Sequence, residues 1–179
     1  APYRKLVAST RWRRNLIVGA LIASTGVIGL WAIGEYAVDL QSRVFKDYFT
    51  AQAAAGKIAV ADIGIHIEHA KVIAYLLNML GAGVGMWLFT KVASKTGRRI
   101  AFAIGFSTAL VVTAFTYWKM STHNDAYWMM PLMGAAQLGP FAGFAIYLPE
   151  LFPGSLRSTG TSFCYNLGRF AAAGGSFFS

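Results

Sequence analysis

Residues 147–169 read YLPELFPGSLRSTGTSFCYNLGR, and they join the end of one long apolar run to the start of another. Between the runs lies a tight connection holding Pro149, Glu150, Pro153 and Arg157. Arg169 then falls about 11 residues into the second run, roughly 17 Å from its start at ~1.5 Å per residue and near the middle of a ~30 Å hydrocarbon layer. A fixed charge at that depth is costly and needs a partner or a task.

Composition sets the class. The chain is 56% hydrophobic and 13% charged, with mean hydropathy +0.49, whereas soluble domains run nearer to about 25% charged. The net charge of +9 could suggest nucleic acid, but the basic residues sit at the ends of apolar runs, as membrane topology signals do. No nucleic-acid partner is expected. The single cysteine, Cys164, allows no internal disulfide. Arg11, Arg13 and Arg14 resemble the charged region of a signal peptide. The run behind them exceeds a ~7–15-residue apolar region and no small-x-small site follows, so it reads as a true span. The start at Ala1 and the stop at Ser179 look like cuts from something longer.

Outward from the opening stretch, the expected class is all-α: a polytopic membrane protein with about five transmembrane helices. The spans fall at 16–34, 72–92, 100–118, 127–148 and 158–179, the last incomplete. Around them lie a polar segment at 1–15, a long loop with amphipathic helices at 35–71, and connections at 93–99, 119–126 and 149–157. The fourth span is expected to break near Gly139 and Pro140. Taken together, 1–15, 93–99 and 149–157 are rich in Lys and Arg with one acid, Glu150, whereas 35–71 and 119–126 carry the other acids. That asymmetry places the N-terminus in the cytoplasm of an inner or plasma membrane.

Polar groups at membrane depth are the candidate site. Ser162, Tyr165, Asn166 and Arg169 recur at helical spacing and share one face. Asn78 lies near the middle of the second span and Gln137 near the middle of the fourth. The bland reading makes Asn78, Gln137 and Asn166 interhelical glue; the functional one makes them cavity lining. The third span brings nothing comparable and is expected at the periphery. No nucleophile–base pair or metal cluster appears at depth, so no enzyme and no cofactor are expected.

Weaker signals point elsewhere. Asp62, His66 and His69, with Glu68 beside them, could be read as metal ligands or titrating groups, but their order lacks a zinc motif. The run GAGVG at 81–85 mimics a dinucleotide loop without the preceding strand. Trp31 and Glu35 are read as an interfacial pair or as a gate.

The connection Pro149-Glu150-x-x-Pro153-x-x-x-Arg157 resembles the cytoplasmic loop between the tenth and eleventh helices of major facilitator superfamily transporters. The nearest branches are the sugar-porter-like proteins and the metabolite–proton symporters. Gly97, Arg98 and Arg99 match the end of a loop signature in the same family. Ser94 stands where its aspartate would be and Thr90 where its first glycine would be. The resemblance implies helices seven to eleven of twelve, an incomplete six-helix bundle facing a missing N-terminal half. It implies a secondary transporter moving a sugar or organic anion by alternating access, with protons as the coupling ion. Asn78, Gln137, Tyr165, Asn166 and Arg169 would line the cavity. Arg98, Arg99, Glu150 and Arg157 would form a cytoplasmic rim. The competing expectation is a non-transporting scaffold or assembly subunit of a larger complex.

Overall fold

The structure is a computed structural model that describes residues 2–176, with side chains described for all of these but 2, 3, 5, 30–35, 172 and 174–176. Among the described residues there is no strand. The helices are α1 (Pro2–Ala8), α2 (Thr10–Ala54), α3 (Ile63–Thr96) after a 3-10 turn at Val60–Asp62, α4 (Arg98–Lys119), α5 (His123–Glu150) and α6 (Arg157–Ser176). The all-α expectation holds. Val60–Thr96, Arg98–Lys119 and His123–Glu150 are long and apolar enough to cross a membrane.

The connections are shorter than the sequence suggested. The segment 35–71 was expected as a loop because of its charges, yet α2 runs on to Ala54. Ala37, Gln41, Val44 and Phe45 are all buried, at the i, i+4, i+7, i+8 spacing of an amphipathic helix. Nothing in 36–54 breaks a helix, and the chain turns only at Gly56, whose φ is +68°. The 93–99 connection contracts to one residue. Gly97 has φ +82°, which residues with a Cβ rarely adopt, and it ends α3 and opens α4.

The start of α5 is set by a reciprocal cap. The Thr122 backbone N–H donates to the Asp125 carboxylate at 2.9 Å, and the Asp125 N–H donates back to the Thr122 hydroxyl at 3.4 Å. This is a capping box, which satisfies N–H groups that have no partner within the helix. The break expected near Pro140 is absent, and α5 is helical throughout. A proline removes one N–H and crowds the preceding turn, but Pro140 is buried and its ring lies where Gly105 leaves room.

The chain divides into two compact units. One comprises Ala1–Gly34 and Phe141–Ser179, the other Glu35–Pro140. In the first, Leu16, Ala20, Ala23 and Val27 of α2 are buried, as are Phe144, Leu148, Phe152, Leu156 and Cys164. Glycines set the approach: a Cβ at Gly26 would overlap the Phe144 ring, and one at Gly168 would lie 3.2 Å from the Ala23 backbone. The Asn15 side chain closes the connection by donating to the Leu151 carbonyl at 2.8 Å.

In the second unit α3 and α5 meet backbone to backbone. A Cβ at Gly81 would overlap the Pro131 carbonyl, one at Gly85 the Ala135 carbonyl, and one at Gly134 the Asn78 carbonyl. In lipid, apolar burial adds little between helices, so such close packing and interhelical hydrogen bonds hold them together. The α3–α4 hairpin is sealed by Phe89 edge-on to Phe102 at 5.3 Å. Leu80, Leu110 and Trp118 point outward, at 69%, 72% and 86% exposed, as lipid-facing side chains would.

Candidate functional site

Helix α6 has two unlike faces. Leu156, Gly160, Cys164 and Gly168 recur every fourth residue and are all buried. Gly160 lets the Phe152 ring within 2.7 Å of where a Cβ would stand, and the Cys164 thiol donates to the Leu16 carbonyl at 3.5 Å. The opposite face carries Ser158, Ser162, Asn166 and Arg169, all exposed, with Thr161 and Tyr165 half-buried, and Arg157 is exposed as the first residue of the helix. The helical period alone produces this split.

The polar face is organised along its length. Tyr165 stands edge-on to Phe141 at 5.9 Å, which fixes its ring. The Arg169 guanidinium lies 5.7 Å from the centre of that ring, a cation–π contact within one helical turn. Asn166 donates to the Ser162 carbonyl at 2.9 Å and to its hydroxyl at 3.3 Å. Among the described residues no carboxylate pairs with Arg169 or with Arg157. Toward the start of the helix, a cavity of about 570 Å³ is lined by Pro149, Gly154, Arg157, Ser158, Thr161, Ser162 and Tyr165.

The other expected cavity residues lie in the second unit and are engaged there. Asn78 donates to the Met130 carbonyl at 3.0 Å, tying α3 to α5 beside the Gly134 contact. Gln137 donates to the Thr113 hydroxyl on α4 at 3.1 Å. The third span thus does supply a polar partner at depth, contrary to expectation, and it is a threonine. A threonine hydroxyl can bond to its own helix and so gives no signal in sequence. Gln41 is another missed residue, buried at 5% exposure with its amide donating to the Met130 sulfur. Its place in a supposed loop hid it.

The expected rim residues divide in the same way. Glu150 ends α5 and Arg157 opens α6 in the first unit, whereas Arg98 and Arg99 open α4 in the second. Arg98 and Glu150 each have a partner. His66 stacks on Phe49 at 5.4 Å, and Glu68 pairs with Lys71 at 3.0 Å. His123, not singled out from sequence, stacks on Tyr48 at 3.8 Å. Trp31 and Glu35 lie outside the residues whose side chains are described.

Helices of this length and apolarity, with polar side chains gathered on inner contacts and one open face, define an all-α membrane protein. No family model matches the chain, and no solved structure matches it. It is similar to a Haemophilus influenzae protein described as "Putative metabolite transport protein", 24% identical over 99 residues, which is 55% of this chain and 24% of that protein. The match spans about a quarter of the length of that curated relative.

Proposed function

We propose that the chain is part of a secondary active transporter that carries a small metabolite, a sugar or an organic anion, by alternating access with proton coupling. In this reading it supplies helices seven to eleven of a major facilitator superfamily protein, and an N-terminal half completes the cavity. The description of the H. influenzae relative as a metabolite transport protein supports transport of a metabolite. Three apolar helices support a membrane location. That relative is no enzyme by name, in keeping with a non-catalytic role.

The observation that carries the reading is the open polar face of α6. A helix in lipid does not present Ser162, Asn166 and Arg169 to hydrocarbon, so this face borders water, a ligand or the other half of a transporter. Arg169 would hold an anionic group of the substrate or a titrating acid of the missing half. Its cation–π contact with Tyr165 holds the guanidinium ready without neutralising it. Asn78 and Gln137 would shape the cavity wall by fixing α3, α4 and α5, since their amides are already engaged.

The orientation places the N-terminus in the cytoplasm. The basic segments proposed for that side carry their own anchors: Arg11 sits over Trp12 at 5.0 Å and Lys91 over Trp87 at 5.8 Å. Such aromatic and basic pairs favour the headgroup layer. Arg98, Arg99, Glu150 and Arg157 would lie at the same rim, making contacts that change between inward- and outward-facing states. The test is uptake by the complete protein carrying Arg169→Ala. A fall in uptake on the order of tenfold or more is expected for the loss of a charged contact. Unchanged uptake and substrate affinity would remove Arg169 from the site.

A further inference from the structure

The cavity at the start of α6 has a chemistry of its own. It is lined by one cation, Arg157, by the hydroxyl-bearing residues Ser158, Thr161, Ser162 and Tyr165, with the Thr161 hydroxyl itself buried, and by no acidic side chain. Its volume of about 570 Å³ falls within the ~300–1,000 Å³ of small-molecule sites. Arg157 makes no hydrogen bond or ion pair among the described residues. The Phe152 ring packs against Gly160 on the opposite face, so the first turns of α6 are held from the rear and not by the groups that line the pocket. At the mouth, a Cβ on Gly154 would meet nothing within 4 Å.

We propose that this cavity binds a phosphate-type anion, either the headgroup of an acidic phospholipid or free phosphate. The guanidinium offers a planar fork of donors that fits phosphate oxygens two at a time. The hydroxyls of Ser158 and Tyr165 make no hydrogen bond among the described residues, and they add donors for the remaining oxygens. A carboxylate has only two oxygens and would leave donors idle; a tetrahedral anion uses them. Zwitterionic headgroups bring a cation toward Arg157 and are disfavoured. The site rests on the membrane reading above, which puts Arg157 at headgroup level, and not on the identity of the transported metabolite.

The experiment is equilibrium binding to the purified complete protein of dihexanoyl phosphatidylglycerol, dihexanoyl phosphatidylcholine and inorganic phosphate. Phosphatidylglycerol is expected to bind at least ~10-fold more tightly than phosphatidylcholine, whose phosphodiester is the same but whose choline cation is repelled by Arg157. Arg157→Gln should abolish that preference and Arg157→Lys should keep part of it. Arg43→Gln, an exposed charge outside the cavity, should leave it intact. Competition by millimolar inorganic phosphate identifies the free anion as the ligand; lack of competition identifies the lipid headgroup. Equal binding of the two lipids, or equal losses from Arg157→Gln and Arg43→Gln, would overturn the site. Uptake measured on the same variants separates the two proposals. Arg157→Gln that loses the lipid preference supports the anion site whether or not uptake falls, since the rim role proposed for Arg157 lowers uptake independently of lipid binding. Loss of uptake with the preference intact overturns the anion site while leaving transport standing.

Discussion

Asn78 on α3 and Asn166 on α6 are the same residue type in similar apolar runs, but they are used in opposite ways. Asn78 reaches across to another helix and donates to the Met130 carbonyl, in a contact where glycines bring the two backbones together. Asn166 reaches back along its own helix to Ser162 and remains exposed. The first spends its hydrogen-bonding capacity on structure; the second keeps its surroundings polar. What separates them is the neighbouring helix. Where small residues let a backbone come close, a polar side chain finds a carbonyl, and where none approaches, it faces outward.

The largest effect expected from this contrast is at Gly85. A valine there would drive its side chain into the Ala135 backbone, which no rotamer can relieve, at a cost of about 3 kcal/mol or more. Thermal unfolding of the purified protein in detergent should show Gly85→Val as severely destabilised or unfolded. The comparison position is Gly83, where a Cβ would meet nothing within 4 Å; Gly83→Val should unfold close to the wild type. If both variants behave alike, the close approach of α3 and α5 is wrong.

The paired asparagines give an intermediate effect. Asn78→Ala removes a partly buried interhelical bond and should cost about 1 kcal/mol of stability. Asn166→Ala gives up only a bond within its own helix and should stay within ~0.5 kcal/mol of wild type. Uptake by the complete protein should reverse the order, with Asn166→Ala the more impaired relative to its stability. Equal destabilisation by the two alanines would erase the distinction between the faces.

Much of this was legible in the residues. The 3.6-residue period and the lack of charge identified the apolar helices 72–92, 100–118 and 127–148 to within a few turns of α3, α4 and α5. The i, i+3, i+4, i+7 recurrence identified the polar face of α6. Other features were hidden for physical reasons. The charges in 35–54 masked the buried series Ala37, Gln41, Val44 and Phe45, because a single apolar stripe among many polar residues lowers the mean hydropathy without breaking the helical period. Pro140 reads in sequence as a helix breaker, yet α5 continues through it, as membrane helices tolerate proline when neighbours meet the freed backbone groups. Thr122-x-x-Asp125 is a capping pattern directly ahead of an apolar run, and it would have moved the start of the fourth helix to His123. Asn78 and Gln137 could not be sorted into wall or glue from sequence, since their partners are a backbone carbonyl and a threonine on other helices.

That capping pattern yields the smallest expected effect and the one with the clearest sign. The Thr122 hydroxyl beside Asp125 and then the Thr122 backbone N–H, aided by the Ser121 N–H and the Trp128 indole, hold the Asp125 carboxyl down from its ordinary 3.8 to about 2. Because the folded value lies below the unfolded one, the carboxylate contributes stability above pH ~4, and the contribution is lost as pH falls through about 2. The stability gap between wild type and Asp125→Ala should therefore be level from pH 7 down to about pH 5 and narrow steadily from pH 4 to pH 2. A gap independent of pH across that window would mean that the cap acts by shape alone. In that case the folded end of α5 would owe nothing to the charge at its first turn.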